Sequence, residues 1–351
     1  MPSQTNAASK LYIGLDIHKR SWNFHFATDF TIGTSKSFPA DIYTILSYVD
    51  KHYKGFNVFI AYEVGCCGYV PARAFLDHGW DTSVVNPADI PRPSKNKFTK
   101  TDKIDAKNIA LQLKSGNLKK ITIPDIHRES LRSLTRQRNG LVRDYRRIKS
   151  RIKSLLLYLH IDIDPKFETP KWPLNFITWL EEFEFCCAAN RHTMDSMLAQ
   201  YQFIDGEIKN VSIEIRKYCR TFHKKDYNLL RSIPGIGPLT AAYVLAELGN
   251  LRQFTSIKRL ASYVGFIPGI YQSGDKQITT GTNPRAKRQI RNLLIEAAWI
   301  VLRFDPVMQQ YYSKHKGKNS KAIAFKVARK ILNRMYAVIK SNTPYQIGMV
   351  Q

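Results

Sequence analysis

Residues 11–29, LYIGLDIHKRSWNFHFATD, read as two strands, 11–17 and 22–29, joined by the short polar turn HKRS. Both segments are mainly apolar without helical spacing, and the polar interruption suits a tight reversal. A third short strand, around 33–38, follows the turn at Thr31, Ile32 and Gly33. Residues 41–53, DIYTILSYVDKHY, place Ile42, Ile45, Leu46 and Val49 at helical intervals. NVFIAYE, 57–63, is a continuous apolar run suited to a buried central strand. A helix over 69–78 and a strand over 81–86, DTSVVN, complete the alternation.

Three strands in close succession, then helix, strand, helix, strand, predict a mixed sheet covered by helices. That β-β-β-α-β-α-β order is the order of a ribonuclease H-like fold. A doubly wound nucleotide-binding fold would place helices between the first strands and a Gly-rich phosphate loop there, and this chain has neither. Residues 87–101, PADIPRPSKNKFTKT, read as a loop ending in a helix start at Thr101 or Asp102. The helix runs to about Ser115, before Gly116.

From His127 the pattern changes. Leu131, Leu134, Leu141, Tyr145, Ile148, Ile152, Leu155 and Leu159 follow alternating three- and four-residue steps, with Arg138 filling one step. This is a heptad seam. Leu198, Tyr201, Ile204, Ile208, Val211, Ile215 and Tyr218 form a second such run, and an aromatic knot from Phe167 to Phe185 lies between them. The seam suits either a hairpin packed on itself or a dimerising coiled coil lying along nucleic acid. Residues 227–248 open a last, mostly helical unit, with further helices over 255–264, 286–303 and 319–340. The reading divides the chain at 1–122, 123–225 and 226–351.

The 351 residues carry 54 Lys+Arg against 28 Asp+Glu, a formal net charge of +26. Such a chain repels itself unless a polyanion compensates it, and nucleic acid is the expected one. Between 127 and 154 ten basic residues face two acids, so the outer face of the first long helix is expected to be basic. No apolar run is long enough to span a bilayer, and the polar start MPSQTNAASK is no signal peptide, so a cytoplasmic protein without a membrane partner is expected. The five cysteines, with pairs at Cys66–Cys67 and Cys186–Cys187, lack zinc-site spacing and suit free thiols in a reducing compartment.

Against this basic background four acids stand out. Asp16 ends the first strand and Glu63 the central one. Asp102 and Asp105 are three apart, on one helical face, and are the only acids against nine Lys/Arg between 92 and 120. Neighbouring strand ends and a helix crossing them can bring all four together. Their mutual repulsion then calls for a cation, and a pair of Mg²⁺ ions, with Mn²⁺ able to replace them, suits oxygen ligands and phosphodiester chemistry. Each acid alone is also ordinary: Asp at a strand end forms turns, and Asp102 could cap its helix.

YIGLDIHK, the Glu63 segment and above all KTDKIDAKNIA resemble the DEDD transposases of bacterial insertion sequences of the one-ten type, whose N-terminal domain is similar to the RuvC junction resolvase. SIPGIGPLTAAYVLAELGNLRQFTSIKRLASYVGFIPGIYQSG resembles the C-terminal domain of that family. The resemblance implies that Asp16, Glu63, Asp102 and Asp105 form a catalytic metal-binding quartet. It further implies that Ser273 is a nucleophile holding a DNA strand covalently. Read alone, Ser273-Gly274 is turn chemistry. The resemblance also implies double-stranded donor and target DNA, a noncoding guide RNA, and a homo-oligomer whose composite site joins two subunits.

IPGIGP, 233–238, looks like a helix-hairpin-helix turn in which Gly235 and Gly237 admit a phosphate; a plain helix–helix turn is the other reading. Arg143, Arg146, Arg147, Lys149 and Arg151, and Arg285, Lys287, Arg288 and Arg291, are the candidate nucleic-acid contacts. The match departs from the family at EVGCCGY, where a Thr-Gly pair commonly follows the acid, and at Ala286, where Gly is common. Two rival functions share parts of this pattern. One is a hydrolytic resolvase-like nuclease without serine chemistry, and the other is a non-catalytic nucleic-acid-binding protein.

Overall fold

The computed structural model describes residues 9–91, 102–167, 169, 171–273, 276–283, 285–315, 317 and 319–348. They belong to two compact units, Met1–Pro124 and Asp125–Gln351. The expected start of a helix at Thr101, most of the 87–101 loop, and Gly274 lie outside the described residues.

In the first unit, β1 (Lys10–Ile17) and β2 (Ser21–Thr28) form the antiparallel hairpin, and β3 (Thr34–Pro39) pairs outside β2. β4 (Asn57–Glu63) runs parallel to β1, and β5 (Asp81–Val85) runs parallel to β4. The mixed sheet has the order β3-β2-β1-β4-β5. This strand and helix order agrees with the sequence reading and is compatible with a ribonuclease H-like domain.

Alternation along β1 decides what each face holds. Leu11, Ile13 and Leu15 are fully buried and pack with Ile45 and Val49 of α1 (Ile42–His52) and Ala72 and Phe75 of α2 (Val70–Asp77). Asp41 caps α1, its carboxylate accepting from the Thr44 amide at 2.8 Å. The even-numbered residues of β1 take the other face, covered by α3 (Asp102–Lys114). There Ala61, Val85, Ile90 and Ile109 form a separate small core.

α3 lies almost on the backbone of β1. A Cβ built on Gly14 would stand 2.1 Å from the Ala106 carbonyl oxygen and 2.4 Å from the Ala110 amide nitrogen. Only glycine admits that approach, and Ala106 and Ala110 keep the helix side equally thin. The far end of α3 is tied down by Lys114, whose ammonium donates to the carbonyls of Thr28 at 2.7 Å and Asp29 at 3.0 Å.

In the second unit, α4 (Ile126–Tyr158) and α6 (Ala188–Phe222) carry the two heptad runs. They pair with each other as an antiparallel hairpin, marked by Tyr145 and Tyr201 hydroxyls 2.8 Å apart and by Arg138 donating to Ser212 at 2.7 Å. The seam is therefore consumed within the chain. A short helix, α5 (Leu174–Glu182), and Phe167, Trp172 and Phe176 close the tip of the hairpin.

Next come α7 (Lys224–Arg231), α8 (Pro238–Leu248), α9 (Ile257–Val264), β6 (Pro268–Ser273), β7 (Lys276–Thr282), α10 (Arg288–Phe304), α11 (Pro306–Ser313) and α12 (Ser320–Ser341). α8 is buried from Ala241 to Leu248 and forms the axis of the largest core. The β6–β7 hairpin was not anticipated: its TTGT and SGD segments carry turn residues, which hide a two-stranded pairing.

The expected basic outer face of α4 is present, carried by Arg136, Arg143, Arg146, Arg147, Arg151 and Lys153, but other basic residues of the helix serve the fold. Arg128 and Arg132 turn inward, donating to the Ala246 carbonyl at the end of α8. Arg136 and Lys287 reach the buried Glu247 at 3.1 and 3.0 Å. A helix C-terminus gathers partial negative charge, so arginines there are structural.

Two measurements check these packing statements. Gly14→Ala should destabilise the first unit by about 1–3 kcal/mol through overpacking, read as a lower urea midpoint. The second concerns Asp305, which is fully buried. Burial alone would raise its carboxyl, but Arg334 at 2.6 Å and the Met308 amide at 3.1 Å outweigh it and hold it below the usual carboxylate range. Its contribution is complete above the unfolded value near 3.9 and is lost as pH falls through the depressed folded value. The loss of stability of the second unit on acidification below about pH 4 should shrink in Asp305→Asn.

Candidate metal centre

β1 and β4 are adjacent and parallel, with Leu15 paired to Tyr62. One further step sets Asp16 beside Glu63 at the carboxyl ends of both strands, on the face that carries Gly14 and α3. Because α3 rests on Gly14 through Ala106 and Ala110, its first turn, with Asp102 and Asp105, projects toward the same strand ends. The close contact at Gly14 thus aims the helix carboxylates at the strand carboxylates.

The hairpin turn adds a group the sequence reading passed over. His18 lies two residues beyond Asp16, at the mouth of the turn closed by its own amide donating to Ser21. Its Nε2 is 3.1 Å from Asp16 Oδ2 and 3.2 Å from Asp102 Oδ2. Asp16, His18 and Asp102 each offer a ligand atom, all within 4.8 Å of one another. Asp16 is 18% exposed, and His18 and Asp102 are about half exposed, at 48% and 55%. The overlooked signal was the i, i+2 spacing of Asp16 and His18, which puts both on one face of an extended segment; HKRS read only as a polar turn.

Burial raises the Asp16 carboxyl above its ordinary range; the His18 ring opposes this, while Asp102 and Asp105 add to it. Asp105 is therefore close enough to be felt, although it is not one of the three gathered ligands. Glu63 holds its place by strand register. The donor set, mostly carboxylate oxygen with one imidazole nitrogen, fits a divalent cation, which would relieve the repulsion among the acids.

The other expected residues are dispersed over the second unit. Ser273 ends β6, paired in register with Lys276. Gly235 has φ of +80°, and a Cβ there would meet Val301 of α10 at 2.6 Å, so α10 occupies the close approach its glycine permits. At Gly237, the N-cap of α8, nothing lies within 4 Å of such a Cβ. Arg143, Arg146, Arg147 and Arg151 are exposed, Arg147 pairing with Asp144 at 2.9 Å. Lys149 is half-buried over the Trp172 ring at 4.6 Å. Arg285 and Arg288 are exposed, whereas Lys287 binds Glu247 and Arg291 reaches the Gly265 carbonyl at 3.5 Å.

Cys66 and Cys67 occupy the middle of a turn closed by the Gly68 amide donating to Gly65. All five thiols are free, and burial pushes Cys219 up to about 12. No helix among the described residues is long and apolar enough to cross a membrane.

Two family models match the chain. Residues 13–161 match the DEDD transposase model of the IS110 type, and residues 227–313 match the model described as the transposase IS116/IS110/IS902 family. The pilin gene-inverting protein of Moraxella lacunata is 28% identical over 96% of this chain and 98% of its own length. A Sinorhizobium fredii protein named as a transposase, y4qE, is 27% identical over 69% of this chain, an alignment that spans only 58% of that relative. The transposase for insertion sequence element IS1111A of Coxiella burnetii is 24% identical over 66% of this chain and 62% of its own.

The raised Asp16 carboxyl sets a testable sign. Its charged form is disfavoured in the fold, so at neutral pH it weakens the metal-free protein, and the effect disappears as pH falls through the raised value. Asp16→Asn should therefore raise the thermal midpoint of EDTA-treated protein at pH 7. A lowered midpoint would mean that attraction to His18 dominates.

Proposed function

The chain belongs to the IS110-type family of insertion-sequence transposases, and from that premise we propose that it cuts and rejoins donor and target DNA, using an acidic quartet in its first unit and a serine nucleophile in its second. The observation that carries this reading is the gathering of Asp16 and Asp102 at the carboxyl end of the sheet, in a chain of net charge +26.

Asp16, Glu63, Asp102 and Asp105 are the residues that would hold Mg²⁺ or Mn²⁺. When bound, the ions neutralise charge on the phosphate and favour deprotonated oxygen nucleophiles. The chain's own contribution is position: β1 and β4 present one acid each, and α3, seated on Gly14, presents two.

Ser273 Oγ attacks a DNA phosphorus, a deoxyribose oxygen leaves with a proton, and the strand is kept as a phosphoserine diester. A hydroxyl end of another strand then displaces the serine, so the bond is conserved without a high-energy cofactor. A relative named for gene inversion supports rejoining over simple hydrolysis. Each site is composite, the acids of one subunit working with the serine of another, so a homo-oligomer is part of the mechanism. The α4–α6 seam is filled within the chain, and the oligomer uses other surfaces.

Sequence choice comes from a noncoding guide RNA, and the exposed arginines of α4 with Arg285 and Arg288 supply phosphate contacts. The protein works where the cell's DNA lies, in the cytoplasm. Loss of stimulation by flanking noncoding RNA in a reconstituted reaction would remove the guide from this reading.

Asp102→Asn should abolish cleavage while leaving DNA binding within about two-fold, because it removes a ligand and not a phosphate contact. Ser273→Ala should eliminate covalent protein–DNA adducts on denaturing gels and strand exchange with them. Adducts that persist in Ser273→Ala would leave a hydrolytic or differently nucleophilic enzyme as the answer.

A further inference from the structure

We propose that His18 is a fifth ligand of this centre and that its imidazole tunes the site toward a divalent first-row transition ion of the Mn²⁺ class, in preference to Mg²⁺. The inference rests on the acidic-quartet reading and adds a nitrogen donor to it.

The geometry is that of a coordination edge. Ligands about 2.1–2.2 Å from an octahedral ion stand about 3.0–3.1 Å apart when cis. His18 Nε2 is 3.1 Å from one carboxylate oxygen and 3.2 Å from another, on different elements. All three donor atoms lie within 4.8 Å of one another. The imidazole nitrogen is thus nearly equidistant from β1's acid and α3's acid, as a ligand of a cation shared between them would be.

The placement is built. His18 sits at the mouth of a tight turn whose backbone is closed by its amide and Ser21, and alternation along the strand puts it on the Asp16 face. About half of its side chain is open to solvent, so an ion and its remaining waters have access. Two of the nine histidines illustrate the contrast. His25 is buried and satisfied by Ser35 at 2.8 Å and the Ile32 carbonyl at 2.7 Å, and His78 faces a single acid, Asp50.

Donor chemistry then orders the ions. Carboxylates suit Mg²⁺, Ca²⁺ and Mn²⁺, while imidazole suits transition ions and adds little for Mg²⁺, which holds oxygen ligands and its own waters. A mixed set favours an ion that accepts both.

The test is metal binding by the full-length protein without DNA, by titration calorimetry and Mn²⁺ electron paramagnetic resonance, with Co²⁺ absorption as a report of nitrogen ligation. His18→Ala and His18→Gln should each weaken Mn²⁺ by about ten-fold or more while changing Mg²⁺ by less than about three-fold, and both should alter the Co²⁺ spectrum. Equal changes for both ions, or none, with an unchanged Co²⁺ spectrum, would overturn the ligand role and leave the quartet intact. A wild-type protein that binds neither ion would overturn the quartet and the His18 inference together.

Discussion

The seating of α3 on β1 at Gly14 is the contact on which the first unit depends. A helix normally stands off a sheet by the thickness of two side-chain layers. Here glycine on the strand and alanines on the helix remove both layers, and the Ala106 carbonyl lies where a Cβ would be. Dispersion and exclusion of water hold the two backbones together, and Lys114 anchors the helix end. The gain is positional: a helix pinned at its middle carries its first turn to a defined place, and that turn holds Asp102 and Asp105. Strand register does the same for Asp16 and Glu63.

Charge is divided by the same logic. A net +26 invites the view that every arginine waits for phosphate, yet the fold uses several of them internally. Arg128 and Arg132 close the carbonyl end of α8, and Arg136 and Lys287 neutralise Glu247. Arg334 does likewise for Asp305. Other basic residues stay exposed, among them Arg143, Arg146, Arg147 and Arg151 on α4 and Arg288 at the start of α10. The acids divide too: Glu247 and Asp305 are held down by cations, whereas the Asp16 carboxyl is raised by burial, with Asp102 and Asp105 adding to it against the opposing His18 ring.

Much of this was legible in the sequence because periodicity and burial share a cause. The alternation in β1 and β2, the apolar run of β4 and the heptads of α4 and α6 report which side faces a core. The acids were legible because they interrupt apolar strands or stand alone among lysines. His18 was legible only as a residue two beyond Asp16 on an extended face; that it meets a second acid depends on Asp102, 84 residues on, folding beside it. The β6–β7 hairpin was hidden because threonine, serine and glycine favour turns as readily as edge strands.

The sequence by itself determined the order of elements, the period of each and the chemical types at the strand ends. These are local consequences of side-chain size, polarity and backbone freedom. Tertiary structure alone decided that the heptad seams pair within one chain, that some arginines of the basic helix turn inward, and that an imidazole joins two carboxylates from elements far apart in sequence. Each of those depends on which surfaces meet once apolar faces are buried, and residue spacing along the chain carries no record of that.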